Sequence, residues 1–165
     1  METKPLIFFF IGKMGAGKST FASILSEQLK TVYISEDEWL ADLYQEEIKS
    51  FKDYITYSNR MKPIMKKHVQ RILATGTSVV MDFPGNTVKQ RQWFKDIIEG
   101  IDCDHKLIYI DATDELCLKH LEKRRVEQPE RANFDSEEVF REVTKYFEAP
   151  TEDEGFDLEV IAQDS

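Results

Sequence analysis

The sequence has few of the residues that staple, ligate or span. Its 165 residues hold two cysteines, Cys103 and Cys117. Their spacing suits neither a zinc site nor a disulfide framework, so a small disulfide-held scaffold is excluded. Long apolar runs are missing too. The stretch Leu6 to Ile11 is too short to cross a bilayer and no cleavage pattern follows it, so neither a membrane anchor nor a signal peptide is expected, and a cytoplasmic location is the default. Basic residues are outnumbered, 22 Lys and Arg against 31 Asp and Glu, for a net charge of −9. Such a surface repels polyanions, which disfavours nucleic acid as a partner except for a small site that takes a strand end. The acidic excess gathers in Glu36 to Glu47 and Glu148 to Glu159 and reads mostly as a solvated face. No internal repeat and no interdomain linker is visible, so residues 1–165 are expected to form a single domain. With 41% hydrophobic residues, that domain can bury a real core.

What is present is concentrated in one place. Gly12-Lys13-Met14-Gly15-Ala16-Gly17-Lys18-Ser19, followed by Thr20, satisfies the G-x-x-x-x-G-K-[ST] phosphate-binding pattern. Glycines in it let successive backbone N–H groups converge on one anion. The helix beginning near Lys18 adds its positive end. Lys18 then reaches the β- and γ-phosphates, and the Ser19 hydroxyl suits Mg²⁺. The pattern implies binding of a nucleoside triphosphate.

The rest of the chain alternates. Leu6 to Ile11 reads as a buried strand. Phe21, Ile24, Leu25 and Leu29 recur at helical spacing and are expected to face inward. Thr31 to Ser35 is a second short strand, and Glu36-Asp37-Glu38 opens a helix with acids in its first turn. Residues Phe51 to Thr75 are polar at first, then helical, with Pro63 placed in a first helical turn and Gly76 ending the helix. Of the helical positions, His68 reads as packed or surface rather than a ligand. Thr77 to Asp82 is a third strand, and Thr87 to Gln90 a capping box for a helix carrying Trp93, Phe94, Ile97 and Ile98 inward. His105 to Asp111 contains a fourth strand. A helix from Asp114 runs into Lys123-Arg124-Arg125, residues 126–134 are expected to be a mobile loop, a last helix carries Val139, Phe140, Val143 and Phe147, and Leu158 to Ile161 is a final strand. This alternation implies an α/β fold with a central, mostly parallel sheet covered on both faces. Ligands in such folds sit at the carboxyl ends of the strands, where Gly12, Ser35, Asp82 and Asp111 fall.

Three further sets of residues are candidates for chemistry. Asp82, at the end of the third strand, suits the acid that supports Mg²⁺ through its water shell, the alternative being a turn aspartate. Asp37 is placed to orient an attacking hydroxyl and take its proton, or simply to favour a helix N-terminus; spacing alone leaves both open. Arg91, Arg124, Arg125 and Arg131 could neutralise a transferring phosphoryl group. Which of the last three acts as a lid arginine is not decided by sequence.

Taken together, GKMGAGKST (12–20), SEDEWLADLY (35–44), VVMDFPGNTVKQRQWF (79–94), DATDELCLKHLEKR (111–124) and FEAPTEDEGF (147–156) resemble small P-loop kinases grouped with AAA-family ATPases. The wider group includes polynucleotide 5′-kinase, chloramphenicol phosphotransferase and zeta-toxin kinases. The resemblance implies a three-layer P-loop NTPase fold of nucleoside-kinase type. It implies Asp37 as base, Asp82 as metal-supporting acid, and a loop near the nucleotide base from FEAPTEDEGF. Asn86 and Arg91 keep the mutual spacing found in polynucleotide kinases, but Asp82 and Asn86 stand two residues further apart. Leu40 occupies the place of an arginine in those enzymes, which weakens a nucleic-acid substrate. The ring-forming mechanical ATPases that also carry the AAA name have a second helical subdomain for which 165 residues leave no room.

The leading expectation is an ATP- and Mg²⁺-dependent phosphotransferase acting on a hydroxyl of a small-molecule or nucleotide-like acceptor. Residues 12 and 14–20, with Arg124, would hold ATP; Ser19 and Asp82 would hold Mg²⁺; Lys18, Asp37, Arg124 and Arg91 would act in catalysis. Acceptor contacts are expected from Gln45 to Arg60 and from the loop around Arg131. A polynucleotide 5′-hydroxyl kinase is the second reading, and an ATP-sensing module read by a partner protein is the third.

Overall fold

The computed structural model describes residues 3–163. Five strands form one sheet in the order β2-β3-β1-β4-β5: β1 Leu6–Ile11, β2 Val32–Ser35, β3 Val79–Asp82, β4 Asp104–Ala112 and β5 Leu158–Gln163. Every pairing is parallel. Parallel neighbours require crossovers, and these are α1 Lys18–Leu29, α2 Glu36–Tyr44, α3 Phe51–Ala74, α4 Val88–Ile98, α5 Asp114–Glu127 and α6 Glu137–Thr144.

The central strand shows why its sequence is unbroken in apolarity. Alternate side chains of a strand point to opposite faces, and β1 is covered on both. Ile7, Phe9 and Ile11 pack into one core with Leu40, Met65, Phe94 and Ile97, from α2, α3 and α4. Phe8 and Phe10 pack into a second core with Ala22, Cys117, Leu121 and Phe140, from α1, α5 and α6. The result is the expected three-layer arrangement.

Several local expectations hold and several do not. The Thr87 capping box is present, with Gln90 returning the bond, and Gly76 follows α3 at φ 83°. In contrast, α3 is continuous from Phe51, and Pro63 lies in its interior rather than its first turn. A proline there forfeits one backbone hydrogen bond. Burial of Met61, Met65, Val69 and Leu73 on either side of it outweighs that loss. Helix α1 meets the expectation in part: Phe21 and Leu25 pack against the second core, but Ile24 and Leu29 do not face inward. Ala22 and Ser26 are its buried residues, while Ile24 and Leu29 are half exposed. Small side chains let α1 lie close to the sheet, with Phe21 and Leu25 partly buried beside them. The segment 126–134 is not a loose loop: α5 runs to Glu127, a 3₁₀ turn spans Pro129–Arg131, and the chain folds round Asp135.

Candidate active site

The carboxyl ends of β1, β2 and β3 bring together the P-loop, Asp37 and Asp82. Gly15 and Gly17 have φ of 78° and 96°, values that favour glycine. A side chain at Gly15 would also run into the Cys117 carbonyl oxygen, 2.5 Å from its Cβ. The loop is held from outside by contacts that sequence reasoning did not anticipate. The Asn86 amide clasps Gly12 at both ends: the Gly12 N–H donates to Asn86 Oδ1 at 3.0 Å, and Asn86 Nδ2 donates to the Gly12 carbonyl at 2.8 Å. His120 Nδ1 lies 2.6 Å from the Gly15 carbonyl. Lys13 pairs with Asp114 at 2.9 Å.

Lys18 Nζ is 2.5 Å from Asp82 Oδ1, and the Tyr33 hydroxyl donates to Asp82 Oδ2 at 2.8 Å. Burial alone would raise the Asp82 pKa. The Lys18 charge and the hydrogen bonds from Lys18, Ser19 and Tyr33 outweigh it and hold the carboxyl below its ordinary value. Burial, together with the Asp82 charge and the hydrogen bond to it, pushes the Tyr33 phenol well up. An ionised carboxylate next to a serine hydroxyl is a hard oxygen pair of the kind Mg²⁺ accepts alongside water and phosphate oxygens, so these residues fit that ion.

Asp37 is exposed at the cleft. Its neighbour Glu36 is buried, 1% exposed, and is fixed to α3 by hydrogen bonds from the Tyr54 hydroxyl and from Ser58 Oγ, the latter at 2.7 Å. Burial raises the Glu36 pKa. Three successive acids in sequence gave no sign that one faces inward; the two hydroxyls that hold it lie 18 and 22 residues away.

Arg124 and Arg131 converge on one carboxylate, and Arg125 joins them at the backbone of the same residue. Arg124 Nε and Nη2 donate to Asp135 at 2.8 and 2.6 Å, Arg131 Nε donates to the same group at 2.9 Å, and Arg125 Nη1 reaches the Asp135 carbonyl at 2.5 Å. Burial opposes ionisation of Asp135, but the hydrogen bonds and charges of Arg124 and Arg131 hold its pKa low. Arg124 and Arg131 border the same cleft as Lys18 and Asp37.

Arg91 is not brought to this cleft, and the catalytic expectation for it does not survive. Its side chain is fully buried, paired with Glu154 through Nε at 2.7 Å and Nη2 at 3.2 Å, with Nη1 on the Gly85 carbonyl at 2.8 Å. The pair ties α4 to the turn before β5. Glu148 adds a second tie, its N–H donating to the Asn86 carbonyl at 2.8 Å and its carboxylate accepting from Val88 N. The motif 147–156 therefore braces the P-loop support, and Phe147 at its start borders the cleft. Asp111 lies near the end of β4, exposed and outside the cleft. From the segment 45–60, Gln45, Lys49 and Phe51 among others reach it.

The cleft holds about 1840 Å³. Single small-ligand sites run to about 300–1,000 Å³, so it accommodates a nucleotide and a second molecule. Among the described residues no cluster of three metal-ligating side chains occurs, and no helix is long and apolar enough to cross a membrane.

Comparison with known proteins gives a consistent result. The AAA domain family matches residues 7–150. A shikimate kinase from Azobacteroides pseudotrichonymphae genomovar. CFP2 is 28% identical over 139 residues, covering 84% of this chain and 76% of its own. An adenylate kinase from Chlamydia trachomatis serovar D is 23% identical over 146 residues, 76% of this chain and 60% of that protein. Among solved structures, a candidate kinase from Chloroflexus aurantiacus superposes with a TM-score of 0.74 at 15% identity, covering 97% of this chain and 89% of that one. The Mycobacterium tuberculosis APS kinase CysC, in complex with AMPPNP and APS, gives 0.60 at 15% identity, covering 96% and 88%.

Proposed function

Because the chain belongs to the AAA domain family and has the P-loop kinase fold with phosphotransferase relatives, we propose that it transfers the γ-phosphoryl group of ATP to a hydroxyl of a small-molecule acceptor. One observation carries the reading. Lys18, Asp37 and Arg124 border a single cleft of about 1840 Å³, with the phosphate cradle at one end and room for an acceptor beside the carboxylate.

The chemistry follows from the positions. The acceptor oxygen attacks the γ-phosphorus, the bond to the bridging oxygen of ADP breaks, and the acceptor proton passes to Asp37. Lys18, already aimed by Asp82 at 2.5 Å, turns its charge to the β- and γ-phosphate oxygens. Arg124 presents its remaining N–H groups to the same charge from the opposite wall. Ser19 and Asp82 would hold Mg²⁺, which when bound neutralises charge between the β- and γ-phosphates. The residues after α5 close over the cleft and exclude water, so that the acceptor competes with hydrolysis.

The test is transfer from γ-labelled ATP with Mg²⁺ to a panel of alcohols, nucleosides, sugars and a 5′-hydroxyl oligonucleotide, run beside Lys18→Ala and Asp37→Asn. Label in one acceptor, lost with Lys18→Ala and reduced about 10²-fold or more with Asp37→Asn at unchanged ATP affinity, is the expected result. Full transfer by Asp37→Asn removes it as the base. Tight ATP binding with no acceptor labelled favours a nucleotide sensor.

A further inference from the structure

The acceptor half of the cleft has its own composition. Helix α2 turns Asp37, Leu40 and Ala41 to it, and α3 turns Phe51, Tyr54 and Ile55. In both helices the spacing is i, i+3, i+4, which places the three side chains on one face. Phe51 is 46% exposed and Ile55 44%, and Ile24 of α1, which lines the same cleft, is 51% exposed. Large apolar side chains are thus left in solvent on two walls that flank the proposed base. Tyr54 adds ring carbon rather than a polar tip, because its hydroxyl is used inward on the buried Glu36 carboxylate. The charged side chains that α2, α3 and the stretch between them bring to the cleft are Asp37, Glu46 and Lys49. They sum to a net negative charge and include no guanidinium to grip a carboxylate or phosphate.

We infer that the acceptor is a neutral alcohol with an apolar, aromatic-sized body, seated between Ile24 and the Phe51–Ile55 face with its hydroxyl at Asp37. This rests on the kinase reading above and specifies its substrate. The apolar surface supplies binding energy roughly in proportion to the area it buries, while an anionic group would meet Asp37 and Glu46 with a single lysine to answer them. Glu36 acts here as a positioning residue. It is covalently next to the base and holds the α3 wall through Tyr54 and Ser58, which ties that wall to the helix carrying Asp37.

A matched pair of acceptors tests this: 2-(4-methylphenyl)ethanol and its carboxylate analogue 4-(2-hydroxyethyl)benzoate, with glucose as a polar control. The expected result is a kcat/KM for the neutral alcohol at least about tenfold above both others. Phe51→Ala should raise its KM about tenfold without moving the KM for ATP. Ile55→Lys should shift preference toward the benzoate. Equal use of the pair, or preference of the unmodified protein for the benzoate or glucose, overturns the inference. If no acceptor takes label, the kinase reading fails separately, and equilibrium dialysis of the two aromatic alcohols at millimolar concentration with a non-hydrolysable ATP analogue decides the subsite. Selective binding of the neutral alcohol that Phe51→Ala abolishes supports it. Equal binding, or none, overturns it.

Discussion

Replacing Glu154 by Gln would separate the structural role of Arg91 from a chemical one. The Arg91 side chain is fully buried and that of Glu154 is 13% exposed, with two hydrogen bonds between them. Removing one partner of such a pair leaves a buried charge uncompensated, which costs about 3–5 kcal/mol. Glutamine keeps an acceptor for Arg91 and for the Thr151 N–H that Glu154 now caps at 2.9 Å, so the lower end, about 3 kcal/mol, is expected. For a chain of this length each kcal/mol lowers Tm by about 2–4 °C, giving a fall of about 6–12 °C. Combining it with Arg91→Met removes the orphaned charge and should recover much of that loss. The pH dependence has a definite sign. Burial would raise the Glu154 pKa, but the hydrogen bonds from Arg91 and Thr151 and the Arg91 charge lower it below the ordinary 4.5. A group lowered on folding stabilises above its unfolded pKa and loses that contribution as pH falls through the folded value. The gap in Tm between the native protein and Glu154→Gln should therefore be full at pH 7 and close as pH drops below about 4.5. Thermal melts followed by circular dichroism across pH measure it, with transfer assayed well below both melting points. There kcat should stay within about threefold of the native protein, because nothing in the cleft has changed. An unchanged Tm with a hundredfold loss of kcat would refute the argument and return Arg91 to the chemistry.

Asn86→Ala removes both bonds that clasp Gly12; a loss of about 1–3 kcal/mol in stability is expected, with KM for ATP raised and KM for the acceptor unchanged. Asp135→Asn frees Arg124 and Arg131 from their shared carboxylate. It should lower kcat about tenfold or more through misplacement of the lid, and the defect should persist at temperatures where circular dichroism shows the chain fully folded. Cys117 is buried with its pKa pushed up to about 11 by burial, so its thiolate is scarce at pH 8 and a disulfide reagent should leave it unmodified until the protein is unfolded.

The parts of the fold that were legible are those whose signal is local. Leu6 to Ile11 reads as a buried strand because both of its faces are covered, and Thr87 with Gln90 carries its cap in four residues. Asn86 and Arg91 could be noticed by spacing, but their partners lie 74 and 63 residues away, and no periodicity reaches that far. The exposure of Ile24 and Leu29 on α1 escaped for another reason. Hydrophobicity marks Ile24 and Leu29 as interior, whereas the close approach of helix to sheet selects Ala22 and Ser26. The N-terminus of α3 did carry a sign: Ser50 accepts from the Asp53 N–H at 3.1 Å, the capping bond of a helix start. Pro63 drew the boundary away from it. At the candidate site, the P-loop pattern pointed to Lys18 and Ser19, and the strand-end positions pointed to Asp82 but also to Asp111, which does not border the cleft. Only the folded chain distinguishes Glu36 from its exposed neighbours, or gathers three arginines on Asp135.

The distances along the chain between the parts of the P-loop support set an order of events during synthesis. The phosphate cradle is translated well ahead of its support, and Gly12 waits for a clasp 74 positions downstream. That clasp in turn waits for Glu148, and the brace on α4 waits for Glu154. At about 5–20 residues per second, the interval between Gly12 and Asn86 alone lasts about 4–15 s. Through most of that time the run Leu6–Ile11 lacks β3, and through all of it β4, the two strands that flank it. A nascent chain of this protein thus carries an apolar strand seeking cover well before the support of its phosphate cradle is complete. Guarding that strand falls to whatever meets it as it emerges.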